Sequence, residues 1–321
     1  MKKIIVALLV IFTLLLTSCG SQETASVDVS TLKGPTAMGL VKLMEDSESG
    51  AVNENEYTFT ISGSIDEVVA KISKGETDLA CIPANLASTL YNKTDGNVNV
   101  LAINTLGVIY ICENGDSIKS IEDLKGKTII ASGKGATPEY SLNYILEANG
   151  IDPASDVNIE WKSEHSECAA TLIANEGTIA MLPQPFVTTS TMKGENVRIA
   201  LDLTEEWNKV TDTSTLITGV IIGNKEFVDN NPDAVDRFLE SYEESVTYVN
   251  DNNDEAAALI GKFDIFPEEV AKVAIPTCNI VCITGDKMKT KLQGYLEELY
   301  NQNPEAVGGE LPGDEFYYIN K

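Results

Sequence analysis

Short runs rich in β-branched and aromatic residues alternate along this chain with segments whose apolar residues recur at helical spacing. The run YTFTIS at 57–62 alternates in polarity as a strand does, and the next segment places Val68 and Ile72 on one helical face. Ser64 and Glu67 have the spacing of a capping box at the start of that helix. Repeated alternation of this kind predicts an α/β fold built on mainly parallel sheets.

Two of the strand candidates are longer than the rest and have a glycine within the run: 99–112 (NVLAINTLGVIYIC) and 213–224 (TSTLITGVIIGN). Glycine inside a strand marks a bend or a close approach of another backbone. We interpret these runs as strands that cross between two lobes. Residues 110–213 then form the second lobe, and residues 29–109 together with 214–321 form the first. A cleft between two lobes is a natural place for a ligand.

The N-terminus has the pattern of an export signal. Two lysines precede the apolar run 4–16, which is too short for a comfortable membrane span and is typical of a secretory signal. The sequence LTSC that follows resembles the bacterial lipobox, which implies cleavage after residue 18 and lipidation of Cys19. Small and polar residues then predict a flexible tether over 19–28. The alternative is a plain signal peptide with an incidental cysteine.

The chain is strongly acidic. Its net charge of −26 becomes −28 when the two lysines of the signal are removed. A field of this sign repels nucleic acid and anionic membrane surfaces, so nucleic acid is not expected as a partner. Only two arginines occur, Arg198 and Arg237, which limits how an anionic ligand could be held.

Five cysteines follow the lipidation site. Cys81 and Cys112 lie in apolar strand candidates, where a buried thiol behaves as a small hydrophobe. Cys278 and Cys282 have a spacing that suits a metal or a disulfide, but no second cysteine pair accompanies them and the one histidine, His165, is distant in sequence. We therefore expect neither a metal site nor a cofactor.

Five junctions between a strand candidate and a helix share one design. Each combines small residues with a proline or a polar side chain before the first helical turn, in LKGPTAMG, TISGSIDE, IPANLAS, ASGKGATPEY and AMLPQPFV. Helix starts leave backbone N–H groups without intrahelical partners and carry partial positive charge, which favours an anionic or hydrogen-bonding ligand group. In ASGKGATPEY we interpret Thr137 as the N-cap and place Pro138 in the first turn.

Taken together, these segments resemble the solute-binding lipoproteins of ABC importers, of the nitrate/sulfonate/taurine and thiamine-pyrimidine (NMT1-like) type. The resemblance covers about residues 30–320, and its most specific part is DLKGKTI followed by a glycine loop and a helix. It implies a two-lobed periplasmic-binding-protein fold of the second type with the ligand in the hinge cleft. It also implies a lipid-anchored extracytoplasmic receptor that delivers a small organic molecule to a membrane permease driven by a cytoplasmic ATPase.

Ligand contacts in that family come mainly from the first helical turns, and the resemblance carries this role to the matching loops. The ligand-binding residues expected in this way are Thr36, Met38, Ser62, Ser64, Asn85, Lys134, Ala136, Thr137, Tyr140 and Gln184.

The ligand itself stays open. None of the candidate loops contains an arginine, in which the chain departs from sulfonate-binding members, although a sulfonate or nitrate could still rest on helix starts. Lys134 is the cation that we assign to a ligand-binding loop. The alternative is that Lys134 lies at a solvated loop tip and does not contact the ligand. Glu139 and Tyr140 would suit a pyrimidine or another aromatic amine, with core packing as the alternative for Tyr140.

Enzyme motifs are not matched. GKGAT lacks the GK[ST] ending of a phosphate-binding loop and the third glycine of GxGxxG. A nucleophilic triad lacks a base, because His165 lies in the polar segment KSEHSECAA and is expected to be an exposed residue at a helix entry. We expect a receptor without enzyme activity. Since pyrimidine-forming enzymes share the implied fold, the alternative is a secreted enzyme acting on a pyrimidine-like molecule.

Overall fold

The computed structural model describes residues 24–51 and 55–319, which form two β-sheets flanked by helices. The predicted signal segment and Cys19, the expected lipidation site, lie outside these residues. The six-stranded sheet contains Ala25–Leu32 (β1), Asn55–Ser62 (β2), Leu79–Pro83 (β3), Val98–Leu106 (β4), Ile217–Asn224 (β10) and Ile280–Ile283 (β11), in the order β11-β4-β10-β3-β1-β2. The five-stranded sheet contains Ile109–Asn114 (β5), Thr128–Ser132 (β6), Asn158–Lys162 (β7), Ile179–Pro183 (β8) and Val197–Asp202 (β9), in the order β7-β6-β8-β5-β9.

Helices connect the strands and cover both sheets. In chain order the α-helices are Pro35–Met38 (α1), Val41–Ser49 (α2), Ile65–Ser73 (α3), Ala84–Lys93 (α4), Thr137–Ala148 (α5), His165–Ala174 (α6), Phe186–Lys193 (α7), Leu203–Val210 (α8), Lys225–Asn230 (α9), Pro232–Asp251 (α10), Asn253–Lys262 (α11), Glu268–Ala274 (α12) and Gly285–Gln302 (α13). Short 3-10 helices span Ile121–Leu124, Ile275–Thr277, Pro304–Val307 and Asp314–Phe316. None of the helices within the described ranges combines the length and the apolar character of a membrane span.

Both sheets are mixed, so the expectation of mainly parallel sheets is wrong. β1 pairs in parallel with β2 and β3, and β6 pairs in parallel with β7 and β8. β10 runs antiparallel to β3 and β4, and β5 runs antiparallel to β8 and β9. The reason is the route of the chain. The strands that pair in parallel have their carboxyl ends on the side that faces the other sheet. β5 and β10 each follow a segment that belongs to the other sheet. They therefore begin on that side and run in the opposite direction.

The first strand replaces part of the predicted tether. β1 pairs with β2 along its whole length, and its residues Val27 and Val29 are buried while their neighbours at positions 26 and 28 are exposed. This period of two is that of a half-buried strand. The predicted tether, 19–28, is therefore wrong for residues 25–28, and its residues 19–23 lie outside the described part of the chain.

An aromatic cluster joins helices that pack against the two sheets. Trp207 on α8 is fully buried, with its ring centroid 4.5 Å from that of Tyr144 on α5 and 5.5 Å from that of Tyr295 on α13. The indole N–H donates to Ser214 Oγ at 3.0 Å. Because α13 belongs to the six-stranded half and α5 to the five-stranded half, this cluster connects the two halves beside the crossing strands.

Gly107 lies at the first crossing, between β4 and β5. A Cβ at this position would lie 2.2 Å from Thr204 Oγ1 and 3.1 Å from Thr204 Cβ on α8. We expect Gly107→Ala to lower the free energy of unfolding by about 1–3 kcal/mol, because overpacking forces the helix start to move. Urea unfolding measures this effect. Gly313→Ala is the control, since a Cβ there meets nothing within 4 Å, and equal midpoints for the two variants would contradict the prediction.

Candidate ligand-binding cavity

The strand-to-helix junctions of both sheets surround one cavity, here called the central cavity. Its volume is about 70 Å³, and its lining includes Thr36 after β1, Pro83 after β3, Thr137 at the start of α5 and Gln184 after β8. The wall is mostly apolar. Ligands of open α/β sheets bind outside the carboxyl ends of the strands, and here the ends of two sheets face each other. The central cavity therefore lies at the position where ligands of α/β sheets bind, with junctions of both sheets in its wall.

Two larger cavities adjoin the central one. The side groove, of about 250 Å³, is lined among others by Ser64, Lys134 and Lys162. The outer groove, of about 520 Å³, runs between α6 and α7 on one side and the end of α11 on the other, with Phe186 and Phe266 in its wall. The two phenylalanine rings meet edge to face with centroids 5.0 Å apart, which is a contact between the two halves.

The structure brings only part of the expected ligand-binding residues together. Thr36, Thr137 and Gln184 line the central cavity. Ser64, Lys134 and Ala136 line the side groove instead. The residues of the expected set that line neither cavity are Met38, Ser62, Asn85 and Tyr140.

These four residues have other contacts. Met38 is fully buried, with its Sδ 3.9 Å from Cys278 Sγ. Asn85 donates to the backbone oxygens of Ala306 at 2.9 Å and Gly135 at 3.3 Å. Tyr140 is half-buried against the apolar core. Core packing, which was the alternative to ligand binding for this residue, therefore describes its position. The spacing of residues in the sequence does not distinguish side chains that point into the protein core from side chains that line a cavity.

Ser62 forms part of a different turn from the predicted one. Its hydroxyl donates to the Glu67 carboxylate and accepts from the backbone N–H of Ser64 at 3.0 Å. Ser64 is the N-cap of α3 by position, but its side chain makes no capping hydrogen bond. The predicted capping box is therefore wrong, because the glutamate is held by the serine two residues earlier.

Thr137 is not the N-cap of α5, which corrects the expectation from sequence. Ala136 occupies the N-cap position, and the Thr137 hydroxyl donates to Asn85 Oδ1 at 3.3 Å. Glu139 likewise turns back to its own loop, where its Oε2 accepts from the Gly135 N–H at 2.5 Å. The N-cap residues of α1, α4, α5 and α7 make no side-chain capping hydrogen bonds, but the Thr188 N–H in the first turn of α7 donates to Gln184 Oε1 at 3.2 Å.

Most polar side chains of the central cavity are already hydrogen-bonded to protein. The Thr36 hydroxyl donates to Leu32 O at 2.8 Å, and the Thr218 hydroxyl donates to Leu106 O at 2.5 Å. Gln184 is held at both ends: its Nε2 donates to Thr277 Oγ1 at 3.0 Å, and its Oε1 accepts from the Thr188 hydroxyl at 2.8 Å. These bonds fix the wall and leave few free donors for a ligand.

His165 lines the central cavity, and reasoning from the sequence missed it. The residue does begin a helix, but its side chain is half-buried rather than exposed, which corrects the expectation. Its Nδ1 lies 2.5 Å from Ser132 Oγ, and its ring centroid lies 5.4 Å from that of Phe186. The signal that could have found it is its place directly after strand β7, the same kind of junction as the others.

Burial lowers the pKa of His165 from 6.5 to about 4. Its neutral form is therefore favoured by folding, and this stabilisation is fully present above pH 6.5 and is lost as the pH falls from 6.5 to about 4. We expect wild-type protein to lose about 2 kcal/mol relative to His165→Gln across that window, with the partial exposure of the ring already discounted. Urea unfolding at several pH values measures the difference, and parallel pH curves for the two proteins would contradict it.

Charged groups are scarce at the central cavity. Lys33 is the one Lys, Arg, Asp or Glu in its lining, and it also faces the outer groove. The arginines are elsewhere: Arg198 pairs with Glu113 at 2.7 Å, and Arg237 donates to Asn55 Oδ1 at 2.9 Å.

The described cysteines are free thiols, and no group of three possible metal ligands occurs among residues 24–51 and 55–319.

Two α/β halves joined by crossing strands, with a cavity between their strand ends, define the two-lobed fold of periplasmic solute-binding proteins. The chain belongs to the NMT1/THI5-like family, whose model matches residues 67–256. No curated protein sequence matches the chain.

Solved structures agree on the fold. An ABC transporter protein from Parabacteroides distasonis is 21% identical with a TM-score of 0.76, covering 92% of this chain and 99% of that one. The alkanesulfonate-binding protein SsuA from Xanthomonas axonopodis pv. citri, bound to MOPS, is 14% identical with a TM-score of 0.71, covering 91% and 96%. The periplasmic nitrate-binding protein NrtA from Synechocystis PCC 6803 is 14% identical with a TM-score of 0.65, covering 92% of both chains.

Proposed function

We propose that this chain is the extracytoplasmic solute-binding receptor of an ABC importer. It captures a small organic molecule in the central cavity and delivers it to a membrane permease driven by a cytoplasmic ATPase. The observation that carries the proposal is the cavity itself, whose wall combines junctions from both halves of the chain. A site divided between two halves opens and closes when the halves move relative to each other.

Contacts across the cavity support this closing motion. Gln184 donates to Thr277 at 3.0 Å, and the Asn85–Thr137 hydrogen bond measures 3.3 Å; each joins one half to the other. Phe186 and Phe266 meet at the outer groove. Contacts of this kind are made in the closed state and lost on opening, so ligand enclosed behind them stabilises the closed state by mass action.

We further propose that residues 29–109 with 214–321 form one lobe, that residues 110–213 form the other, and that a lipid on Cys19 anchors the receptor to the bacterial cell membrane. The strands β5 to β9, apart from the first residue Ile109, and the helices between them fall in the second range. The lipid anchor rests on the LTSC sequence alone. Membrane fractionation of cells that produce Cys19→Ser tests it, because the substituted chain should move from the membrane fraction to the soluble fraction.

The alternative of an enzyme meets a specific difficulty. Ser132 and His165 are in hydrogen-bond contact, as a nucleophile and its base would be. However, Ser132 is only 2% exposed, and a pKa of about 4 makes His165 a weak base at neutral pH. The pair is better suited to holding the ring in one orientation than to activating the hydroxyl, so we propose no catalytic role for it.

A thermal-shift screen tests the receptor proposal directly. The chain from residue 20 onward, without lipid, is screened against sulfonates, nitrate, thiamine pyrimidines, riboflavin, amides and small aromatic acids. A ligand present at 100 times its Kd should stabilise the fold by about 2.7 kcal/mol and raise Tm accordingly. Gln184→Ala is the matched variant, since it removes the clamp between halves and should reduce the shift. A screen without any shift, together with turnover of a screened compound, would overturn the proposal.

A further inference from the structure

His165 occupies a singular position in the cavity system. It is the only histidine of the chain, and its ring lines the central cavity, the side groove and the outer groove. His165 therefore lies where the central cavity adjoins both grooves. A residue at such a junction can select among the molecules that enter.

The ring is held so that one nitrogen remains for a ligand. Nδ1 is engaged by Ser132 Oγ at 2.5 Å, and Ser132 is itself almost fully buried at the end of β6. The Phe186 ring packs beside the imidazole at 5.4 Å. Nε2 makes no hydrogen bond to any residue of the described ranges. Because the Ser132 hydroxyl can donate to Nδ1 or accept from it, Nε2 can meet a ligand group as a donor or as an acceptor.

The rest of the wall offers little to a charged molecule. The hydroxyls of Thr36 and Thr218 and both ends of the Gln184 amide are bonded to protein. Lys33 is the sole charged residue in the lining, and it is a flexible ammonium rather than a planar fork for an oxyanion. Burial in this mostly apolar setting also keeps His165 neutral, since its pKa falls to about 4.

We propose that His165 is the specificity-determining residue of the site, and that the solute it selects is an uncharged molecule with an apolar body and one hydrogen-bonding group. The Nε2 atom of His165 bonds that group, Phe186 covers the apolar body, and Ser132 positions the ring. This inference rests on the proposed receptor function. It adds that the ligand is uncharged and that His165 recognises it.

Nuclear magnetic resonance of the single histidine provides the test. In the tag-free chain, one set of imidazole 15N and 1H signals reports the tautomer and its change on binding. The probes are three pairs that share a ring and differ in charge: benzamide and benzoate, nicotinamide and nicotinate, and benzyl alcohol and benzenesulfonate. We expect at least one uncharged probe to move the Nε2 signal, and its anionic partner to leave it in place.

Variants separate ligand recognition by His165 from a purely structural role of this residue. His165→Phe keeps a ring but lacks the hydrogen bond, and it should weaken binding of the active uncharged probe about tenfold. His165→Gln places an amide near the position of Nε2 and should restore part of that loss. Ser132→Ala removes the partner of Nδ1 and should change the ratio of imidazole tautomers, a readout that a purely structural role would not move. Thr171→Ala, on the same helix outside the cavity, is the control for folding.

The outcomes are distinct. The proposal is overturned if every uncharged probe leaves the His165 signals unmoved, if only anionic probes move them, or if His165→Phe binds the active probe as tightly as wild type does. If the wider thermal-shift screen finds a ligand while these results hold, the receptor function stands and only the assignment of His165 fails. If that screen finds no ligand and a screened compound is turned over, the receptor function fails as well.

Discussion

Replacing Phe186 with alanine is expected to weaken ligand binding about 10- to 100-fold, which corresponds to about 1.5–3 kcal/mol. The ring lines both the central cavity and the outer groove, and it meets Phe266 of the other half at 5.0 Å. Its loss therefore removes an apolar wall from the ligand and an aromatic contact from the closed state. Isothermal titration with the ligand found in the thermal-shift screen measures the effect.

The control for this variant is Phe227→Ala. Phe227 on α9 is half-buried against the core of the six-stranded half, and it lines none of the three cavities described above. The two variants remove the same side chain, so a common loss of packing should appear in both as a lowered Tm. Only Phe186→Ala should change affinity. Equal affinities for both variants would mean that Phe186 does not contact the bound solute.

Glu113→Gln is expected to lower the free energy of unfolding by about 3 kcal/mol at neutral pH, because it removes the charge from a buried ion pair. Glu113 is almost fully buried on β5, with one carboxylate oxygen 2.7 Å from Arg198 Nη2. The same carboxylate accepts hydrogen bonds from the backbone N–H groups of Ser117, at 2.8 Å, and Ile118, at 3.1 Å. Urea unfolding of the two proteins at pH 7 measures the difference.

The difference should depend on pH in a defined direction. Burial alone would raise the pKa of Glu113, but hydrogen bonds from Ser117 and Ile118 and the charge of Arg198 outweigh it and hold the pKa below 4.5. The stabilisation is present above the unfolded pKa and is lost as the pH falls through the lower folded pKa. Glu160→Gln, which removes an exposed partner 3.9 Å from Lys162, should have little effect. A pH-independent loss for Glu113→Gln would contradict the charge argument.

Much of the fold follows from local patterns. Strands β2 to β10 each coincide with a strand candidate that is rich in apolar, β-branched or aromatic residues, because such side chains pack well in a buried sheet. β1 was missed because its polar alternation follows directly on a tether-like composition. β11 was missed because it has only four residues and lies within a cysteine-containing segment that suggested a metal or a disulfide. Strand direction was also missed, since polarity carries no information on which end of a strand meets the other sheet.

The meeting of several strand-to-helix junctions was predicted from the sequence, but the side chains that line the central cavity were anticipated only in part. The junctions of β1, β6 and β8 do meet at the central cavity, as the loops with proline and small residues indicated. Within a junction, however, a difference of one or two residues decides whether a side chain faces the cavity or the core, as Thr36 and Met38 illustrate. His165 was missed because its polar neighbours suggested exposure. Only tertiary packing against Ser132 and Phe186 reveals its position.

The strand order has a consequence for how a newly made chain matures. In the six-stranded sheet, β10 lies between β3 and β4, yet it follows the whole five-stranded sheet in the chain. A chain that emerges from its N-terminus can complete β5 to β9 from one continuous segment, while β3 and β4 await a strand that begins at Ile217. Unpaired strand edges are sites of aggregation. The nascent chain therefore passes through a stage of vulnerability that ends only when about two-thirds of it has been made.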